Sequence, residues 1–150
     1  TVEYAVDDFC AAQLARALGT PREHDDLVQG AGFWKNLLHP KTKVLAPRNV
    51  NGAWFEGRYA WETDAERGHP GFTEGGMWTY LFGAMHDVPG MIEALGGASA
   101  FTMRLDENFD EKHHVHGNEP GHHYPYLYDW VGKPAKTEAR VRAILADSYG

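Results

Sequence analysis

An all-α fold is predicted for this chain, on three observations. Apolar residues recur at three- and four-residue steps in several segments, Gly, Pro, Ser and Asp bracket those segments as caps and stops, and the longest aperiodic stretch has room for at most a short strand or two. With 150 residues the chain is sized for one domain.

The first helix is read from Val2, Ala5, Val6, Phe9, Cys10, Leu14 and Leu18, which share one face, and Gly19 with Pro21 ends it. Cys10, the single cysteine, falls on that face and is expected as a buried small hydrophobe. A second helix is predicted from about Asp25 to Leu38, carrying Leu27, Phe33, Trp34, Leu37 and Leu38, with His39-Pro40 as its stop. From Lys41 to Gly71 the period dissolves, and a loop that long in a compact domain is usually functional. Thr73 then reads as the N-cap of a helix running to about Met85. Asp87-Val88-Pro89 starts another, whose Met91, Ile92 and Leu95 lead to the Gly96-Gly97 stop. Ser99 caps a helix to about Phe109, the irregular DEKHHVHGNEPGHH follows, and a helix is predicted from Tyr124 to Trp130. Pro134 opens the last, with Ala139, Val141, Ile144 and Leu145 expected inside. Helices joined by long aromatic connections suggest an array with chemistry on one rim.

Composition narrows the function. A net charge of −7 without any Lys/Arg block opposes nucleic-acid binding. No run of about 18 apolar residues is present to span a membrane. The start, TVEYAVDDFC, is neither a basic nor an apolar leader and has no Met, as expected of a processed or excised chain. Five Trp and seven Tyr supply flat faces that suit sugar rings as well as a core.

Three segments beside helix ends concentrate unusual residues: Pro47-Arg48-Asn49 with Trp54, Phe72-Thr73-Glu74-Gly75, and His116 to His123. Brought to one cleft they would set two carboxylates, Glu74 and Glu119, opposite an arginine and aromatic faces, which is the equipment of glycoside hydrolysis. Glu74 by itself reads equally as a first-turn acid complementing a helix dipole. Five of the nine histidines lie between His113 and His123, but their spacing matches no zinc pattern. The oxygen-rich Asn118-Glu119 pair suits a hard cation such as Ca²⁺ better, although no EF-hand loop is present.

The segments VDDFCAAQLARALG, GFTEGGMWTYLFGAMHDVPGMIEALGG and HGNEPGHHYPYLYDWVGKPAKTEARVRAIL, in this order, resemble the catalytic domain of glycoside hydrolase family 92, the calcium-dependent exo-acting α-mannosidases. The resemblance covers nearly the whole chain. It implies part of an (α/α)6 toroid, with about seven of its twelve helices here and the irregular loops on one rim. It implies an inverting reaction on terminal α-linked mannose, with Glu74 as general acid and its partner carboxyl roughly 6.5–9.5 Å away. Asn118 and Glu119 would bind the terminal mannose or the calcium, Trp54 and Trp78 would face the sugar, and Arg48 and His116 complete the binding residues it suggests. The cation would grip adjacent sugar hydroxyls. The family's base is an aspartate in a later G-N-D-D-C-G-Q-M-S-A-W-like segment that this sequence lacks, so either a fragment of a longer enzyme or a shortened relative is expected. Asp87 and Asp106 are conceivable substitutes, but both sit at helix caps or faces where structural roles are expected. Thr79-Tyr80 stands where Gln-Tyr is frequent in the family. The resemblance further implies a mannose-containing glycan as partner, the rest of the catalytic domain and an N-terminal β-domain in the full-length enzyme, and a secreted or periplasmic location. The competing expectation is a catalytically silent glycan-binding or structural piece of such a domain.

Overall fold

The computed structural model describes residues 2–55 and 71–150, so about half of the aperiodic stretch predicted between Lys41 and Gly71 lies outside the described residues. Among those described, the fold is all-α: six α-helices, one eight-residue 3₁₀ helix and three shorter 3₁₀ turns. Among the described residues β-type pairing is confined to two isolated bridges, Leu38 with Leu45 and Arg48 with Trp54.

Helix α1, Val2–Leu18, and α2, Pro21–Ala31, form a hairpin turned by Gly19 at φ +74°. Pro21 supplies a preset first-turn φ, so the second helix begins four residues earlier than its apolar period suggested. It also ends earlier, at Ala31, and Phe33–Leu37 tighten into a 3₁₀ turn. The α1 face that is buried consists of Val2, Ala5, Ala12 and Ala15. Small residues let the two helix backbones approach, and Gly30 of α2 is held so close that a Cβ there would lie 2.2 Å from the Asp8 carboxylate. The larger side chains expected in the core turn outward instead: Leu14 is 62% and Leu18 70% exposed, and Cys10 is exposed too.

The helix expected to start at Thr73 is displaced and short. Gly76 is the N-cap of α3, Met77–Tyr80, and its amide donates to Thr79 Oγ1 at 3.2 Å. A 3₁₀ turn over Met85–Asp87 then leads into α4, Val88–Ala94, where the Asp87 carboxylate accepts from the Gly90 amide at 3.0 Å as predicted of a cap. Helix α5, Ala98–Asp110, starts behind Gly97 rather than at a Ser99 cap. The Tyr124–Val131 segment is helical but 3₁₀, and Pro134 opens α6, Pro134–Ser148, as expected. Of the four α6 residues expected inside, Val141 and Ile144 are half-buried, while Ala139 and Leu145 are exposed.

The core gathers Trp34, Leu45, Met77, Trp78, Leu81, Phe82, Met91, Phe101, Leu105, Tyr124 and Tyr128 around the short α3. Phe82 meets Phe101 and Tyr124 edge to face at 5.4 and 5.2 Å, a geometry that aromatic quadrupoles favour. This packing fixes α3, and with it the loop in front of it that carries Glu74.

Candidate active site

Glu74 does not occupy a first helical turn. It stands two residues before the N-cap of α3, exposed, at φ +53°, in the left-handed region that non-glycine residues rarely enter. The dipole reading of this acid therefore loses its geometric basis. Gly75 behind it has no space for a side chain, since a Cβ would lie 2.6 Å from Thr79 Oγ1. The paired glycines thus let the loop lie flat on α3 and lift Glu74 into solvent.

Two side chains grip this loop. The Tyr80 hydroxyl donates to the Thr73 carbonyl, and Asn118 Nδ2 donates to the Glu74 carbonyl at 2.9 Å. The second bond joins the Phe72–Gly75 and His116–His123 segments, as a common rim requires. Asn118 immediately precedes the 3₁₀ turn Glu119–Gly121, in which Glu119 is exposed. Burial pushes the Tyr80 phenol up, and the carboxylates of Glu3 and Glu74 add to the effect, so the hydroxyl remains a donor.

On the other side of Thr73 and Tyr80 opens a cleft of about 260 Å³, which Glu3, Pro47, Arg48, Phe72, Thr73 and Tyr80 help to line. Arg48 and the Thr73 loop therefore share a cavity. The Arg48 guanidinium is anchored by its own loop, donating to the Gly52 carbonyl at 2.9 and 2.6 Å and to the Asn36 carbonyl at 3.3 Å, and it lies 4.8 Å over the Trp54 ring. Trp54 is half-buried, with the His39 ring 4.9 Å from its own.

Trp78 and His116 each have partners of their own. Trp78 is only 4% exposed, stacked on His113 at 4.2 Å and 7°, with Arg104 5.7 Å from its ring, so no face is left for a sugar. His116 turns toward α6, its Nε2 3.0 Å from the Tyr149 hydroxyl and its ring stacked on His122 at 4.8 Å. His114 lies beneath them with both ring nitrogens buried and unpartnered; burial first, then His116 and His122, lower its pKa to about 4. Among the described residues no group of three or more His, Cys, Asp or Glu is arranged to hold a metal ion.

The two aspartates weighed as substitute bases have structural partners. Asp87 caps α4 and pairs with Lys35 at 3.1 Å. Asp106 receives Lys136 at 2.6 Å on both oxygens and the Tyr128 hydroxyl at 2.9 Å; burial opposes its ionisation, but those bonds and Arg140 hold its carboxyl below the usual range. Reading residue types by segment overlooked Glu3 and the part played by Tyr80. The seven-residue interval from Thr73 to Tyr80, two helical turns in a period-based reading, concealed that the intervening glycines fold the loop back on the tyrosine.

In class, this helical chain falls among glycosyl hydrolase catalytic domains. It belongs to glycosyl hydrolase family 92, whose catalytic domain matches residues 1–150. A protein of Arthroderma benhamiae described as an uncharacterized secreted glycosidase is 29% identical over 99% of this chain and 21% of its own length. Among solved structures, the family GH92 α-mannosidase BT3965 of Bacteroides thetaiotaomicron is 33% identical with a TM-score of 0.84, covering 97% of this chain and 20% of that one. The same protein in complex with mannoimidazole matches at 31% identity and a TM-score of 0.84, over 99% of this chain and 22% of that one. The family GH92 inverting mannosidase BT2199 of the same species is 29% identical with a TM-score of 0.85, covering 99% of this chain and 23% of that one. The chain thus spans about a fifth of the length of these relatives, and its helices are a portion of the (α/α)6 toroid of the family's catalytic domain.

Proposed function

We propose that this chain is the acid-bearing portion of an exo-acting α-mannosidase that removes terminal α-linked mannose with inversion, Glu74 serving as general acid. The observation that carries the reading is the placement of Glu74: exposed, on a left-handed turn and fastened to Asn118, directly after Thr73, which lines a cleft. A mannosidase is further supported by the printed descriptions of the solved relatives. In the reaction Glu74 donates its proton to the glycosidic oxygen as the bond to the anomeric carbon breaks, and a base activates water on the opposite face.

The base is assigned to a part of the enzyme outside these residues, because Asp87 and Asp106 are engaged in structural bonds. The remainder of the catalytic domain and an N-terminal β-domain are the expected neighbours of this portion. Asn118 and Glu119 would contact the terminal mannose or hold calcium. Their chemistry fits: with Nδ2 committed to Glu74, the Asn118 amide still has its oxygen, and the Glu119 carboxylate is a second hard donor. Two donors are short of the six to eight that Ca²⁺ takes, so water, sugar hydroxyls and the rest of the enzyme would complete the set. When bound, the cation would supply a grip on adjacent sugar hydroxyls. Of the aromatic candidates Trp54 keeps its place beside Arg48, whereas Trp78 is reassigned to the core. A secreted or periplasmic location is proposed from the relative described as a secreted glycosidase. The engagement of both aspartates also favours one second reading, a catalytically silent glycan-binding piece.

The test is Glu74→Gln in the complete protein. Loss on the order of 10²–10⁴-fold on unactivated α-mannosides is expected, with β-mannose as the first product anomer of the wild type by NMR. Near-wild-type turnover of the variant, or α-mannose first, would refute the acid or the inversion respectively, and an inactive wild type would favour the silent piece. Chelation should abolish turnover and Ca²⁺, rather than Zn²⁺, restore it.

A further inference from the structure

We propose that Tyr80 and Asn118 are positioning residues for the acid, holding Glu74 in its working orientation by gripping two successive carbonyls of its backbone. The inference rests on the reading of Glu74 as general acid. It concerns this chain's own side chains, not the sugar or the cation.

The two grips come from different segments of the chain. Tyr80, the last residue of α3, reaches back to the Thr73 carbonyl, and its ring is fixed by the stack on Phe72 at 6.1 Å and 16°. Asn118, 44 residues beyond Glu74, reaches in to the Glu74 carbonyl at 2.9 Å. A third bond, from the Gly76 amide to Thr79 Oγ1 at 3.2 Å, fixes the far side of the turn. The carbonyls on either side of the Glu74 residue are therefore both tied, and its φ of +53° is held against the ordinary preference of a side-chain-bearing residue. A loop free to relax would return Glu74 to negative φ and swing its carboxyl away.

This has a kinetic consequence that ordinary scaffolding does not. A general acid must come within roughly 2.6–3.2 Å of the oxygen it protonates, and a misplacement of about 1 Å costs on the order of 10²-fold. Only a leaving group that needs the proton feels that loss. A dinitrophenolate leaves without protonation, whereas a sugar hydroxyl does not.

The experiment is Tyr80→Phe in the complete protein, assayed on a mannose disaccharide and on 2,4-dinitrophenyl α-mannoside, with Glu74→Gln in parallel. Phenylalanine keeps the ring stack and removes only the donor, and the activated substrate reports in the same sample that the protein is folded. Expected is a loss in kcat of about 10- to 100-fold on the disaccharide with KM little moved, and a loss of less than about threefold on the activated mannoside. Asn118→Ala should show the same bias between substrates, with an added rise in KM from its direct contacts. Equal losses of Tyr80→Phe on both substrates, or no loss on either, overturn the positioning role. If Glu74→Gln itself shows no bias toward the poor leaving group, the acid assignment falls and the positioning role with it; a biased Glu74→Gln beside an unbiased Tyr80→Phe overturns the positioning role alone.

Discussion

Glu74 sits in a backbone conformation that costs an L-residue roughly 1–2 kcal/mol, and the neighbouring Gly75 is what makes the turn packable. Gly75→Ala would drive a methyl into the Thr79 side chain, 2.6–2.8 Å away, an overpacking that costs about 1–3 kcal/mol. A lowered urea midpoint together with lost activity is expected, and an unchanged midpoint would mean that Thr79 yields freely. His114 gives a second prediction at this scale. Folded, it stays neutral down to about pH 4; unfolded, it binds a proton as the pH falls through about 6.5. Its contribution is therefore intact above 6.5 and is lost as the pH falls from there toward 4, with about 3 kcal/mol as the upper bound. Urea midpoints should drop across that window, and His114→Gln should flatten the drop; an equally steep profile in the variant would assign the acid sensitivity elsewhere.

Helices differ in how legible they were. The existence of α1 followed from its period, yet periodicity names a stripe and not what covers it: the residues buried on α1 are Val2, Ala5, Ala12 and Ala15, while α2 approaches α1 closely where Gly30 meets Asp8. The start of helix α4 was legible to the residue, since Asp87-Val88-Pro89 combines a capping carboxylate with a proline in the first turn, while its end falls at Ala94, one residue before the expected Leu95. The helix after Thr73 was not, because its boundary is set by glycine packing and by tyrosine and asparagine bonds from outside the segment. Trp78 was misread for the same reason: what buries it is His113, 35 positions on. Asp87 joins two roles that substitution separates. Asp87→Asn keeps the cap and drops the ion pair with Lys35, while Asp87→Ala removes both. A cap is worth about 1 kcal/mol and a partly exposed pair a few tenths, so alanine should cost clearly more than asparagine in urea denaturation. Equal costs would show that the pair with Lys35 dominates.

At the scale of the whole molecule, the proposed acid, two aspartates engaged in structural bonds and a helical layer with an uncovered side lead to one expectation. Tyr4, Leu14 and Leu18 of α1 are 73, 62 and 70% exposed, and Val28 and Phe33 add to the apolar surface of the same hairpin and its exit turn. Apolar area of this kind is usually covered in the working protein, and the relatives have about four times as much further chain with which to cover it. Residues 1–150 expressed alone should therefore self-associate or unfold at low urea, and adding Ser at Leu14 and Leu18 should shift the chain toward monomer in sedimentation experiments. The isolated chain should also fail to hydrolyse an aryl α-mannoside. An inverting reaction needs a base to deprotonate the attacking water, worth on the order of 10²–10⁴-fold, and the candidate aspartates here are bound to Gly90, Lys35, Lys136 and Tyr128. Release of β-mannose by a monomer of this chain, abolished by Glu74→Gln, would overturn that expectation and place the base within these residues; the Asp87→Asn and Asp106→Asn variants would then show which of the two leaves its structural partners during turnover.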